Sequence, residues 1–250
     1  MDEFGNVVLK VLKDLEDMGA ISIGDDGVVS TVSKPKSRYE QAMETEWFKK
    51  MIEDGILPSS KELVETIGGG VFSDTFFISS IIREEHIKRF TFPCFSKEVI
   101  NDLVVHINGK KCLEVCAGTG WLSKLLHDAG VNIIATDLGT WENNKFDTWK
   151  TKFIEVDMID ALKAIDKYSD VEIVIMSWPE YGSPLANLVL NKCLETGKEL
   201  IYIGEDSGGC TADDTFFETL YEKDLDMEPI SDYYVPFDGI HDNIYAINNK

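Results

Sequence analysis

Residues 96–250 are predicted to form a doubly wound α/β domain, a Rossmann-like sheet with helices on both faces, behind a mainly helical region over residues 1–95. Three observations predict it. Short apolar runs alternate with amphipathic stretches from Ser96 onward, the first run ends in a glycine-rich turn that opens a helix, and the last run has no helix immediately before it. A chain of 250 residues is long enough for such a domain and a smaller companion without disulfide staples.

In the N-terminal region Val8, Val11, Leu12, Leu15 and Met18 recur at three-to-four spacing, which predicts a helix between Asp2 and Gly19. Over residues 21–32, Ile21-Ser22-Ile23 and Val28-Val29 flank Gly24-Asp25-Asp26-Gly27, the pattern of a short hairpin around an acidic turn. A helix over 38–53 is ended by Gly55, and another starts at the Ser59-Ser60 cap before Lys61-Glu62-Leu63. Gly68-Gly69-Gly70 breaks the chain, and a further helix over 74–88 stops before Phe92-Pro93. Helix, hairpin and helix are compatible with a winged-helix-like module that reads DNA, but the 38–53 helix carries slightly more acid than base. The region is therefore expected to be a lid or cap that packs beside the following domain and shapes its acceptor pocket.

In that domain the apolar runs are 111–116, 132–136, 152–156, 171–176 and 199–203, with helices predicted near 121–129, 158–167 and 183–196. Strand followed by helix, repeated, gives parallel strands joined by crossovers. The tail holds Ile240-His241-Asp242-Asn243-Ile244-Tyr245-Ala246-Ile247, which suits an antiparallel strand closing the sheet.

A hydrophobic share of 44% and a charged share of 28% are ordinary for a globular protein, and no apolar run approaches the roughly 20 residues of a membrane span. Met1-Asp2-Glu3-Phe4-Gly5 carries acid where a secretory signal carries base, so a cytoplasmic location is expected. The five cysteines, Cys94, Cys112, Cys116, Cys193 and Cys210, include no Cys-x-x-Cys pair, and reduced thiols with no metal site are expected. The formal charge is −21, spread along the chain. Nucleic-acid binding draws on Lys and Arg at phosphates, so this balance argues against a DNA or RNA partner and for a small-molecule or protein one.

Leu113-Glu114-Val115-Cys116-Ala117-Gly118-Thr119-Gly120-Trp121-Leu122 reads as strand, glycine-rich turn and helix. Gly118 and Gly120 lack a Cβ, so the backbone can turn sharply and approach a ligand, and the helix opening at Trp121 aims its positive end at it. Ser123 stands where the dinucleotide pattern Gly-x-Gly-x-x-Gly requires its third glycine. The next run ends in Asp137, placed to accept ribose hydroxyls, and the third ends at Asp157 and Met158, placed for an adenine amino group and ring.

This arrangement resembles the class I S-adenosylmethionine-dependent methyltransferases over about 150 residues, from Phe95 to the C-terminus. The resemblance implies a seven-stranded sheet whose last strand is antiparallel. It implies S-adenosylmethionine as cofactor, with Glu114 near the methionine amino group, Gly118 and Gly120 close to the ligand, Asp137 on the ribose and Asp157 on adenine. The cofactor-binding set expected on this basis is Glu114, Cys116, Ala117, Gly118, Thr119, Gly120, Asp137, Leu138, Asp157, Met158 and Ser177. A closer resemblance is to a methyltransferase-like group marked by Ser-Trp-Pro-Pro, Gly-Gly-Cys-Thr and Gly-Ile-His-Asp segments. Here these are Ser177-Trp178-Pro179-Glu180, Gly208-Gly209-Cys210-Thr211 and Gly239-Ile240-His241-Asp242, with Glu180 departing from the second proline.

In amino-methyltransferases a Pro-Pro-Tyr segment offers carbonyl acceptors to the target amine, and Ser177-Trp178-Pro179-Glu180-Tyr181 approximates it. Ser177, Trp178, Pro179, Tyr181, Glu205 and His241 are the expected catalytic residues, with Glu205, Asp206 and His241 the available bases. His86, His106 and His127 fall on predicted helices and are expected at the surface or its boundary. Asp206-Ser207-Gly208-Gly209 looks like a protease nucleophile segment, but it follows a parallel strand and lacks the all-β setting. Two rivals remain: a nucleotide-binding module without transfer chemistry, and an enzyme using the same fold on another nucleotide such as NAD or cleaving S-adenosylmethionine.

Overall fold

The computed structural model describes residues 12–13, 15–16, 21–23, 28–31, 36–68, 75–139 and 152–249. The chain divides into two compact units, Met1–Gln41 and Ala42–Lys250. In the first, β1 (Ile21–Ile23) and β2 (Val29–Thr31) pair antiparallel with Ile21 opposite Thr31. The acidic turn over 24–27 and most of the helix expected before it lie outside the described residues.

The predicted helix over 38–53 is two helices, α1 (Arg38–Met43) and α2 (Glu46–Asp54), because the chain turns at Glu44-Thr45. Gly55 ends α2 in the left-handed conformation, its amide returning to Lys50 and Met51 carbonyls. Ser59 caps α3 (Ser60–Ile67) in a reciprocal box with Glu62. α4 (Phe76–Arg89) and α5 (Lys97–Ile107) follow, the latter capped by Ser96.

Seven strands form the main sheet among the described residues. These are β3 (Cys112–Val115), β4 (Ile133–Asp137), β5 (Val156–Met158), β6 (Ile173–Ser177), β7 (Glu199–Glu205), β8 (Leu225–Pro229) and β9 (Asp242–Asn249), in the order β5-β4-β3-β6-β7-β9-β8. β3 to β7 pair in parallel and β9 is antiparallel to both neighbours, as the resemblance implies. Helices α6 (Trp121–Asp128), α7 (Ala161–Lys167), α8 (Leu185–Thr196) and α9 (Asp214–Glu222) link them.

Three of these elements differ from the sequence reading. The third strand begins at Val156, not 152, because the Phe153 amide donates to the Thr119 carbonyl at 3.0 Å instead of joining the ladder. β8 and α9 were not singled out from sequence. Leu225-Asp226-Met227-Glu228-Pro229 alternates apolar and polar residues on the outermost strand, where one edge meets solvent and a proline costs no ladder bond.

The central strands are buried on both faces. Cys112, Ile173, Ile175, Ile201 and Ile203 point into one core with Phe48, Met51, Leu63, Ile82, Leu103 and Leu122. Leu113, Val115, Val174, Met176 and Tyr202 point into the other with Ala164, Val189, Leu190 and Phe216. The period of two thus divides one continuous apolar run between two cores. The helices from residue 42 onward, assigned by sequence to a separate region ending at 95, share the first of these cores with the sheet. Among the described residues no helix is long and apolar enough to cross a membrane.

Candidate functional site

The turn after β3 uses the left-handed region at Cys116, Gly118 and Gly120, with φ of 57°, 56° and 75°. Such backbone is strained for a residue with a Cβ, so Cys116 is held there by its surroundings. Its thiol is pushed up to about 12 by burial, with Asp137 and Glu114 adding to the rise, and is no nucleophile at neutral pH. The Ala117 amide donates to the Thr136 carbonyl at 3.0 Å, tying the turn to β4. A Cβ on Gly120 would stand 2.8 Å from Ile154 Cγ2 and 3.0 Å from Val156 Cγ2. Packing against the approach to β5 therefore requires glycine there, whereas the sequence reading assigned that need to a ligand.

Asp137 ends β4 and is buried, its Oδ2 accepting the Gly118 amide at 2.8 Å and its Oδ1 the Gly139 amide at 2.6 Å. Leu138 beside it is 57% exposed and Met158, in register with Asp137 on the neighbouring strand, 53% exposed. Two apolar side chains thus stand in solvent beyond adjacent strand ends, flanking a carboxylate. Asp157 is placed otherwise: its Oδ2 accepts from Lys167 Nζ at 2.5 Å and Tyr168 Oη at 2.7 Å. Asp157 is thereby committed to the end of α7.

Glu114 lies beneath the turn, where its Oε2 accepts the Ser123 amide at 3.0 Å and the Ser123 hydroxyl. Burial raises its carboxyl to about 7 against the bonds from Ser123, which lower it, and the Asp137 charge raises it further. Thr119 Oγ1 accepts the Trp121 amide at 3.3 Å and donates to the Phe90 carbonyl at 2.6 Å. Two early amides of α6 are thus satisfied by the chain itself. Phe90 packs against Trp121 at 4.8 Å between ring centres and stacks on Phe153 at 5.6 Å, so the segment after α4 covers the turn.

The three segments singled out in sequence converge beyond β6, β7 and β9. Trp178 is left-handed, with φ 51°, and its amide donates to the Ile203 carbonyl at 2.7 Å. The Ala212 amide donates to the Pro179 carbonyl at 3.2 Å, and the Gly182 amide to the Ala212 carbonyl at 2.7 Å. The Pro179 carbonyl, expected to face a target amine, therefore serves the turn that follows β7. Trp178 Nε1 donates to Asp242 Oδ2 at 2.8 Å, closing the link to the last segment. Tyr181 stands 70% exposed outside this network, and Phe92 stacks on Trp178 at 4.9 Å, so Trp178 is half-buried.

Glu205 is buried, and its carboxylate accepts the Cys210 amide at 2.6 Å and the His241 amide at 2.8 Å. Burial pushes its pKa up, but these bonds outweigh it and hold the carboxyl below the ordinary range. It is a cross-brace between two loops. The His241 ring is exposed beside it, while Asp206 binds the Ser207 amide at 2.7 Å and lines a separate cavity of about 510 Å³ with Phe217 and Tyr221.

Sequence reasoning missed Asp242 as the hub of this corner, although it stands next to His241. Its Oδ2 also accepts Tyr234 Oη at 2.8 Å, and burial raises its carboxyl to about 6, with the Tyr234 and Trp178 bonds lowering it and Glu205 raising it. Arg83 and Phe92 were missed because they reach the corner from the N-terminal helices, which no spacing in sequence announces. His86, expected near the surface, is fully buried, with Nδ1 2.9 Å from the Thr91 carbonyl oxygen. Burial lowers its imidazole to about 3, so it is neutral and part of the core.

No protein-family model matches the sequence, and no curated protein sequence matches it. Among solved structures the chain is similar to the magnesium protoporphyrin IX methyltransferase of Synechocystis, at 11% identity and a TM-score of 0.44 over 87% of this chain and 100% of that one. It is similar to a SAM-dependent methyltransferase of Archaeoglobus fulgidus, at 14% identity and a TM-score of 0.39 over 60% and 91% of the two chains. A precorrin-6y C5,15-methyltransferase of Geobacter metallireducens aligns at 13% identity and a TM-score of 0.40 over 66% and 94%. These are likenesses at low identity, and the Rossmann-like methyltransferase fold follows from the strand order and the antiparallel β9.

Proposed function

We propose that the chain is an S-adenosylmethionine-dependent methyltransferase acting on a small molecule or a protein. The observation that supports this most is the end of β4, where buried Asp137 braces the Gly118 turn between exposed Leu138 and Met158. Exposed apolar side chains on either side of a carboxylate fit a nucleoside, with Leu138 and Met158 against the flat ring and Asp137 toward the ribose. Gly118 and the turn around it would face the amino-acid end. When bound, this cofactor supplies a methyl group on a sulfonium, open to in-line attack by an O, N, S or C nucleophile.

The protein's own part is alignment and exclusion of water. The left-handed Trp178 and the bonds it makes to Ile203 and Asp242 hold the β6 loop against the β7 and β9 loops. Phe92 covers Trp178. Since Glu205 is committed to two backbone amides, His241 is the candidate to take a proton from a protic acceptor. With Glu180 and Asp206 exposed at this corner, Glu205 and Asp242 buried beneath it and −21 overall, a polyanion is expected to be repelled.

Calorimetric titration tests the reading. S-adenosylhomocysteine is expected to bind at about micromolar dissociation constant and raise the Tm, and NAD to do neither. Equal or tighter binding of NAD would refute the cofactor, and tight duplex binding near physiological salt would refute the acceptor class.

A further inference from the structure

Arg83, on α4, holds its guanidinium carbon 5.7 Å from the centre of the Trp178 ring. Among the described residues it makes no ion pair and no hydrogen bond, and its Nε is shut off from solvent without a partner. The ring contact offsets part of its charge but leaves its Nε–H unmet. Two further buried polar atoms without partners belong to residues joined to this tryptophan, one by the chain and one through its indole N–H. They are Ser177 Oγ, on the preceding residue, and Oδ1 of Asp242, a residue 5% exposed whose Oδ2 takes the indole N–H. A buried polar atom left unmet is unfavourable, so a ligand offering an acceptor to the guanidinium and a donor to Asp242 Oδ1 would bind favourably.

We propose that Arg83 anchors a carboxylate of the methyl acceptor, whose hydroxyl or amine turns its hydrogen toward Asp242 Oδ1 and Ser177 Oγ. This rests on the methyltransferase reading above and names its acceptor class, a small carboxylic acid bearing a protic nucleophile. The guanidinium is a planar fork that matches the two oxygens of a carboxylate. A doubly charged phosphate would meet Asp242 and Glu205 with a single cation to offset them. The acid and the protic group must lie about one indole's breadth apart, which limits the acceptor to a compact molecule. Arg83 comes from the helices before the sheet, so they supply specificity as well as cover.

The probes are salicylate, 4-hydroxybenzoate, anthranilate and 3-hydroxybutyrate, each titrated beside its carboxamide into the full chain, with and without S-adenosylhomocysteine. At least one acid is expected to bind, with its amide about tenfold or more weaker. Arg83→Gln should weaken that acid by about tenfold or more, and Arg83→Lys by less, because lysine keeps the charge without the fork. Both variants should keep the affinity for S-adenosylhomocysteine. Equal binding of acid and amide, unchanged acid binding in both variants, or no binding by any acid of the panel would overturn the anchor. Should Arg83→Gln fail to fold, Arg83→Lys carries the same comparison. If S-adenosylhomocysteine itself does not bind, the methyltransferase reading falls, while the acid-against-amide difference still decides Arg83.

Discussion

Two carboxylates a few residues apart in the fold do different work because their surroundings differ. Glu114 is enclosed in the core with Ser123 as its partner, and its carboxyl rises from 4.5 to about 7. A folded state that holds its proton more tightly than the unfolded chain loses stability as pH rises through that window. Glu114→Gln, which mimics the protonated acid, is expected to match the wild type near pH 4.5 and to exceed it at pH 8 by up to about 3 kcal/mol. Urea unfolding across pH 4 to 8 reads this directly, and parallel curves for the two proteins would show that Glu114 ionises freely. Asp242, raised to about 6, contributes in the same sense over the acidic part of the range. Asp137 instead accepts two backbone amides at a strand end. Asp137→Ala is expected to weaken S-adenosylhomocysteine binding by about 1.5 to 3 kcal/mol. Asp137→Asn keeps an acceptor for the turn, so its melting curve separates loss of the brace from loss of the ligand contact.

At the scale of elements, the junction of β3, its turn and α6 depends on how closely the approach to β5 lies against it. A methyl group on Gly120 would meet Ile154 and Val156 in a backbone conformation that already disfavours it. Gly120→Ala is therefore expected to destabilise the fold by about 2 to 4 kcal/mol, strain and overpacking together. A chemical denaturation midpoint equal to wild type would mean that the segment around Ile154 gives way freely. The start of α3 was legible because a cap is a local event: Ser59 with Glu62 announces it in the sequence itself. β8 was not, since its alternation acquires meaning only when β9 returns antiparallel beside it.

At the scale of the whole molecule, the helices from residue 42 and the sheet share one core. A chain starting at Ser96 would lose Trp47, Phe48, Met51, Leu63, Ile67, Ile82 and Phe90 from that core. Each contributes about 1.5 to 3 kcal/mol, a sum that rivals the roughly 5 to 15 kcal/mol of a typical fold. The truncated chain is expected to lose cooperative thermal unfolding and to expose apolar surface to a fluorescent dye. A sharp transition at the full chain's Tm would show that residues 96–250 form an independent domain after all.

The class of fold, the parallel order of the strands, the glycine turn and Asp137 were legible in the sequence, because hydrophobic period, turn chemistry and a strand-end acid are written within a few consecutive residues. The three segments around Trp178, Cys210 and His241 were singled out by the resemblance they carry. Which of their atoms are free was not legible. Sequence makes Glu205, Asp157 and the Pro179 carbonyl look available, whereas folding commits each to partners 5 to 36 positions away. Arg83, Phe92 and the buried face of Asp242 meet at Trp178 only because α4 lies over the strand ends. Local patterns state what a residue can do; burial and hydrogen-bond partners, which are set by contacts between distant parts of the chain, decide what it is left to do.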